Sequence, residues 1–348
     1  MKASYQRYIL QFKRPSGTSR GVLKTKETWF LKLEDDQGNW GLGECGILRG
    51  LSVDDRPDYE ETLAWACENI SWGLPKLYER LVEFPSIQIG LEMAFQSLEA
   101  KDPFQLFPSS FSEGQAEIPI NGLIWMGDKA YMKEQIITKI AEGFQCIKMK
   151  IGAIDFETEV SLLKFIRSEF SPQDIELRVD ANGAFTPSEA LEKLKRLSDR
   201  QLHSIEQPVK PNQWEVMAQL CEQTPLPIAL DEELIGVFSS EEKTKLLNTI
   251  SPQYIILKPS FIGGFKGTDE WIELAEKKGI GWWLTSALES NVGLNAISQY
   301  TFTKNSKLPQ GLGTGSLYTN NLGSPLEVSK GALHYRVDED WDLTSLKL

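Results

Sequence analysis

Paired cysteines are missing from this sequence: its four thiols, Cys45, Cys67, Cys146 and Cys221, lie far apart and form no C-x-x-C pair. That excludes a disulfide-framework scaffold and predicts buried, reduced thiols of a cytosolic protein. Histidine is scarcer still, with His203 and His334 alone and no zinc-ligand spacing, so a zinc site is not expected. No basic cluster or basic tail is present and the formal net charge is −12, which argues against nucleic acid or an anionic membrane as partner. No stretch approaches the ~20 apolar residues of a membrane span, and the first residues lack the apolar core of a signal peptide. The expectation is a cytoplasmic enzyme acting on a small polar molecule, with no oligomeric state specified.

What is present centres on the run Cys146 to Gly152, an apolar strand pattern that carries two lysines. Alternation along a strand points Lys148 and Lys150 to one face. Burying two ammonium groups is costly without compensation, so acids must face them. Asp180, Glu206 and Asp231 each end a β-like apolar run, and Lys258 ends another; the steps from Lys150 are 30, 26, 25 and 27 residues. A barrel of eight βα units in about 200 to 250 residues needs roughly 25 to 31 residues per unit. The period therefore predicts a barrel whose strand ends share one mouth.

The 348 residues exceed what one simple core usually holds, which predicts a second domain. Strand patterns at 5–12, 27–34 and 40–44 and helical patterns at 59–70 and 86–100 make residues 1–115 an α+β capping domain. Between its first strands lies the polar stretch from Arg14 to Gly21, which reads equally as a mobile lid or as an exposed hairpin connection. Residues 116–318 alternate strand and helix, with strands near 117–123, 145–150, 175–180, 202–206, 227–231, 253–258, 280–285 and 308–312. Helices are expected at 128–142, 156–170, 186–199, 212–222, 238–249, 267–278 and 291–303, which means a parallel sheet. The fold class is α/β, a modified TIM-type (β/α)7β barrel with an α+β cap; the tail at 319–348 is expected to pack back on the cap.

Three carboxylates at one mouth suit a hard divalent ion such as Mg2+, with Mn2+ as a substitute. Any single acid is better explained as a lysine partner or helix cap, but the ordered set is not. A substrate carboxylate placed there would have its developing enediolate charge stabilised as an α-proton leaves. Lysine is ordinarily protonated, with a pKa of about 10.4, but neighbouring cations and desolvation favour its neutral form, so Lys150 or Lys258 can be the base.

Taken together, Lys148-Met-Lys150, Asp180-Ala-Asn182, Glu206-Gln-Pro, Asp231-Glu232 and Lys258-Pro resemble the muconate-lactonizing-enzyme subgroup of the enolase superfamily over nearly the whole chain. Superfamily sites pair a Lys or His base with Mg2+ ions that stabilise an enediolate. The resemblance implies Asp180, Glu206 and Asp231 as metal ligands, Lys150 as acid/base, Lys258 facing it across the substrate and Lys148 beside them. It makes Glu232 a neighbour of the ligands, and with no histidine near the sixth strand end the chain departs from the mandelate-racemase-like pattern.

The segments from Leu284 to Asn295 and from Gln310 to Asn321 resemble the last strand ends of the o-succinylbenzoate synthase family, and Thr18 to Leu23 its capping loop. Substrate contacts are accordingly expected from Arg20, Asn182, Ser286, Ser290, Asn291, Gly313 and Thr314, some of them to a second carboxylate. Ordinary tight turns are the competing explanation. The cap-to-barrel linker at 101–107 is shorter than the family's. The implied activity is dehydration of a succinyl-bearing cyclohexadiene hydroxy acid in menaquinone synthesis. Racemization of N-succinyl amino acids or epimerization of dipeptides is the alternative, although the eighth strand end, Gly311 to Gly315, lacks the Asp-x-Asp that would hold a dipeptide amine. A non-catalytic barrel would have no reason to keep all three acids and both lysines.

Overall fold

The computed structural model of the chain describes residues 1–18 and 21–347. Its first sheet is antiparallel and meandering, with β1 (Lys2–Thr18), β2 (Gly21–Glu34) and β3 (Trp40–Gly46) in that order. Helices α1 (Tyr59–Glu68), α2 (Leu74–Arg80) and α3 (Pro85–Glu99) follow. Alternation along β2 sends Trp29, Leu31 and Leu33 to one face, where they pack with Tyr59, Leu63, Ile87 and Leu91. The intervening Phe30 points the other way and packs with Leu42, Val292 and Leu322. The sheet thus lies between its own helices and the rest of the chain. Close approach of α3 to β3 requires glycine: a Cβ on Gly43 would lie 2.0 Å from the carbonyl oxygen of Gly90.

The stretch from Arg14 differs from the loop expected there. The hairpin continues as strand through Thr18 and resumes at Gly21, with an irregular register between Gln11 and Ser16. Gly17 bridges Met126, and a Cβ on Gly17 would sit 2.7 Å from the Met126 carbonyl oxygen, so the hairpin lies against the segment after the first parallel strand. Arg20 lies outside the described residues.

Short β4 (Ile118–Pro119) precedes β5 (Gly122–Ile124), the first strand of a parallel sheet. The sheet runs through α4 (Lys129–Ala141), β6 (Cys146–Lys150), α5 (Phe156–Glu169), β7 (Glu176–Asp180), α6 (Pro187–Ser198) and β8 (Ser204–Glu206). It continues with α7 (Trp214–Gln223), β9 (Ile228–Leu230), α8 (Ser240–Ile250) and β10 (Tyr254–Leu257). The last elements are the short α9 (Pro259–Ile262), α10 (Gly264–Lys277), β11 (Gly281–Leu284) and α11 (Asn291–Thr303). Strand order is sequential from β5 to β11, seven strands in all. Helix starts follow local chemistry: Asp128 and Asp155 accept N–H bonds as N-caps, and Thr186 and Ser239 form capping boxes.

The strand expected at 308–312 forms only isolated bridges, of Gln310 to Ile120 and of Gly311 to Thr285. Pro309 has no N–H to give a ladder, and the glycines that follow weaken strand structure. Both neighbours are nevertheless hydrogen-bonded, through Asn121 N to Gln310 O at 2.9 Å and Ser286 N to Gly311 O at 3.0 Å. The tail forms β12 (Leu326–Ser329) and β13 (Ala332–Tyr335), which pair with each other, and β13 pairs in turn with β4. It also reaches the cap, where Trp341 stacks on Phe104 and Thr319 N donates to Gln11 O. Among the described residues all four cysteines are free, and no helix is long and apolar enough to cross a membrane.

The capping domain and the parallel α/β half of the chain are joined by a buried carboxylate. Glu92 on α3 accepts the N–H groups of Phe265, at 2.5 Å, and Lys266, at 3.1 Å, in the first turn of α10. Burial pushes its pKa up to about 7 despite those two bonds. A carboxyl raised above its ordinary 4.5 contributes stability that is complete below that value and is lost as pH rises through about 7. Urea unfolding should therefore show wild type losing on the order of 2 kcal/mol relative to Glu92→Gln between about pH 5 and about pH 8. A difference independent of pH would contradict this.

Candidate active site

Alternation brings the charged residues together. Lys150 is paired in register with Asp180, and Asp180 with Glu206, at the C-terminal ends of β6, β7 and β8; Asp231 and Lys258 directly follow β9 and β10. One layer below, Arg178 shares its face with Lys148 and stacks over Trp283 at 4.2 Å, filling the space between strands. The upper layer is ionic. Lys148 Nζ lies 2.5 Å from Glu206 Oε2 and 3.2 Å from Asp180 Oδ2, Lys150 Nζ lies 2.8 Å from Asp180 Oδ2, and Lys258 Nζ donates to Asp231 Oδ2. Asp180, Glu206 and Asp231 are all at most 3% exposed.

Their electrostatics are interdependent. Burial raises the Asp180 carboxyl, but Lys150 and then Lys148 outweigh it and hold the group well below the usual carboxylate range. Burial, then the charges of Asp180 and Asp231, push Glu206 up to about 8 in spite of Lys148. Burial lowers Lys258, yet Asp231 and then Glu206 bring it out above its ordinary value. Its acidic neighbours thus favour the charged form of Lys258.

Lys150 also donates to Asn182 Oδ1 at 2.9 Å, and Asn182 Nδ2 donates to Glu232 Oε1 at 3.0 Å, so Asn182 fixes the lysine from the side. Gln207 was not singled out by its sequence position. It is buried with a left-handed φ of 39°, and its Oε1 accepts the N–H groups of Asp231 and Glu233, shaping the turn that carries Asp231. Its one signal was a polar side chain immediately after a strand-end acid.

A cavity of about 1210 Å3, counting its open mouth, lies over this layer. Of the expected residues, Lys148, Lys150, Asp180, Asn182, Lys258, Ser286, Gly313 and Thr314 line it. Ser290 and Asn291 do not. Ser290 is fully buried as the N-cap of α11 and donates to Glu44 Oε2, while Asn291 Nδ2 donates to the Leu322 carbonyl; they join α11 to the cap and to the tail. Ser286 faces the cavity, and its hydroxyl donates to Glu289 Oε2 at 2.6 Å. Apolar wall residues that the spacing could not reveal are Leu23, Leu48 and Leu51 of the cap and Trp125, whose ring lies 5.9 Å from Lys150 Nζ. Four lysines, Lys139, Lys148, Lys150 and Lys258, and one acid, Asp180, belong to the described lining, and the Lys139 ammonium is engaged by Glu142 at 2.6 Å.

The donor set fits a hard cation. Glu206 Oε1 is buried without a hydrogen-bond partner, and the facing Lys258 Nζ is 4.0 Å away. Such an orphaned carboxylate oxygen beside two other buried carboxylates is suited to oxygen-ligated Mg2+. Among the described residues no three acids stand preformed around one ion position, because lysine ammonium groups lie against them.

Residues 131–338 match the family model described as enolase C-terminal domain-like. The chain is 49% identical to the curated o-succinylbenzoate synthase of Desulfotalea psychrophila (strain LSv54 / DSM 12343), across 96% of this chain and 98% of the relative. The crystal structure of MenC from Desulfotalea psychrophila LSv54 superposes with a TM-score of 0.85 at 45% identity, covering 96% of this chain and 99% of that one. A dipeptide epimerase from Enterococcus faecalis V583, solved with Mg and the dipeptide L-Leu-L-Tyr, shares the fold at a TM-score of 0.82 and 19% identity, with 96% of each chain covered. The protein belongs to the enolase C-terminal domain-like family, and with it to the enolase superfamily.

Proposed function

We propose that this chain is an o-succinylbenzoate synthase, which dehydrates 2-succinyl-6-hydroxy-2,4-cyclohexadiene-1-carboxylate to o-succinylbenzoate. The observation that carries the reading is the near full-length match to the Desulfotalea psychrophila synthase. The cavity agrees with it: its described lining carries Lys148, Lys150 and Lys258 and offers no acid beyond Asp180 to hold a dipeptide amine. With Lys150 neutral as the base, two lysine cations against three carboxylates give 2 − 3 = −1 formal charge, so a bound divalent cation would leave +1, which suits an anionic substrate. We read the barrel as a closed (β/α)7β barrel spanning 116–318 between a cap at 1–115 and a tail at 319–348; the hydrogen bonds of Gln310 and Gly311 to both edges support closure.

Asp180, Glu206 and Asp231 would hold Mg2+, or Mn2+ in its place. When bound, the ion supplies positive charge against the negative charge that develops on the substrate carboxylate. Lys150 takes the α-proton from carbon, oriented by Asp180 and Asn182. Lys258, held as a cation, stabilises the enediolate from the other side. The protonated Lys150 then gives its proton to the departing hydroxyl, the C–O bond breaks, and water leaves from the face on which the proton was taken, a syn elimination. Aromatization drives the step, so a single lysine is sufficient as base and acid.

Incubating the magnesium-loaded protein with this hydroxy acid and following o-succinylbenzoate by absorbance tests the reading. Turnover well above the spontaneous rate is expected. No acceleration by fully loaded protein would sink it.

A further inference from the structure

Behind the cavity wall a chain of hydroxyls ends on one buried acid. Thr314 Oγ1 donates to Ser286 Oγ at 2.8 Å, Ser286 Oγ donates to Glu289 Oε2 at 2.6 Å, and Ser260 Oγ donates to Glu289 Oε1 at 2.5 Å. Glu289 is fully buried and both of its carboxyl oxygens accept, so every proton in the chain points toward it. Ser286 Oγ also accepts Leu288 N–H at 2.9 Å, which fills its remaining lone pair. Leu288 holds a left-handed φ of 65°, a strained conformation for a non-glycine residue, at the turn that carries Glu289.

The cap contributes a buried lysine near this acid. Lys26 of β2 is buried, and its Nζ has no hydrogen-bond partner among the described residues. Burial lowers its pKa, while the charges of Glu44 and Glu289 pull it up. Glu44 is already engaged by Thr28, Ser290 and the N–H of Gly293.

Of the chain's hydroxyls facing the cavity, Ser286 is saturated and Thr314 has spent its proton, so Thr314 presents lone pairs alone. We infer that Glu289 is a positioning residue that fixes Thr314 as a hydrogen-bond acceptor, so that this wall selects a ligand bearing a hydroxyl or N–H donor. The identity of that donor rests on the proposed reaction. The hydroxy acid carries one donor at neutral pH, the hydroxyl that leaves, and o-succinylbenzoate carries none. Directing that O–H at Thr314 leaves the oxygen lone pairs available to the proton on Lys150. Loss of water then removes the contact, and the wall distinguishes substrate from product.

Kinetics with the magnesium-loaded enzyme, read beside product inhibition, test this. Thr314→Val should lower kcat/KM for the hydroxy acid about 10-fold, the worth of one hydrogen bond, and leave the inhibition constant of o-succinylbenzoate within about 2-fold. Thr314→Ser should restore kcat/KM. Glu289→Gln, whose amide donates where the carboxylate only accepted, should produce the same split. Wild-type kcat/KM in Thr314→Val, or substrate and product affinity falling together, would overturn the inference. Failure of wild type to dehydrate the hydroxy acid would overturn the proposed reaction instead. The comparison would then use an N-succinyl amino acid against its N-methyl analogue, which lacks the donor, and equal binding of the two to wild type would overturn the inference.

Discussion

Lys150→Ala is expected to abolish turnover while leaving the fold intact. A proton-transfer group removed from a reaction that begins with abstraction from carbon costs at least about 10²-fold, and more where the α-proton is weakly acidic. The fold should survive because Asp180 keeps a second ammonium partner, Lys148 Nζ at 3.2 Å, and is not left as an uncompensated buried charge. Lys258→Ala should also be severe, by a different route. It removes a cation from Asp231 and from the enediolate without removing the base. Exchange of the substrate α-proton with deuterated solvent separates the two, since exchange should disappear in Lys150→Ala and persist, slowed, in Lys258→Ala. The reverse pattern would interchange their roles.

Asp180→Asn and chelation should be comparably damaging. Asp180 is the carboxylate common to Lys148 and Lys150, and in the proposed metal set it is also a ligand. Its amide isostere keeps the shape but removes the charge, and we expect kcat/KM to fall by at least about 10²-fold together with weaker Mg2+ binding by calorimetry. Excess chelator should abolish wild-type activity, and added Mg2+ should restore it. Full activity in metal-stripped protein would refute the metal assignment, as would wild-type behaviour of Asp180→Asn.

Much of this site could be read from spacing because strand periodicity is rigid. Once Lys148 and Lys150 were placed on one strand face, acids had to meet them, and Asp180 and Glu206 do so in register. The helices followed from their caps. What spacing could not give were contacts made across long sequence separations. Ser290 and Asn291 sit in a polar, Gly-containing run that resembled a binding turn, yet Ser290 is used 246 residues away by Glu44 and Asn291 by the tail. Gln207 and Glu289 act from beneath the surface, where a single polar letter in the sequence does not reveal a buried role. The segment at 308–312 loses its strand form to Pro309 and its glycines, although its hydrogen bonds fall where a strand would put them.

The most direct test of the central claim is the ratio of kcat/KM values of one magnesium-loaded preparation for three reactions: dehydration of the cyclohexadiene hydroxy acid, racemization of N-succinyl amino acids and epimerization of a dipeptide panel, the last two followed by deuterium incorporation. A wall offering Asp180 as its one carboxylate predicts that dehydration exceeds both, with dipeptides hardly turned over. Dipeptide epimerization without any o-succinylbenzoate, or N-succinyl racemization far exceeding dehydration, would contradict it.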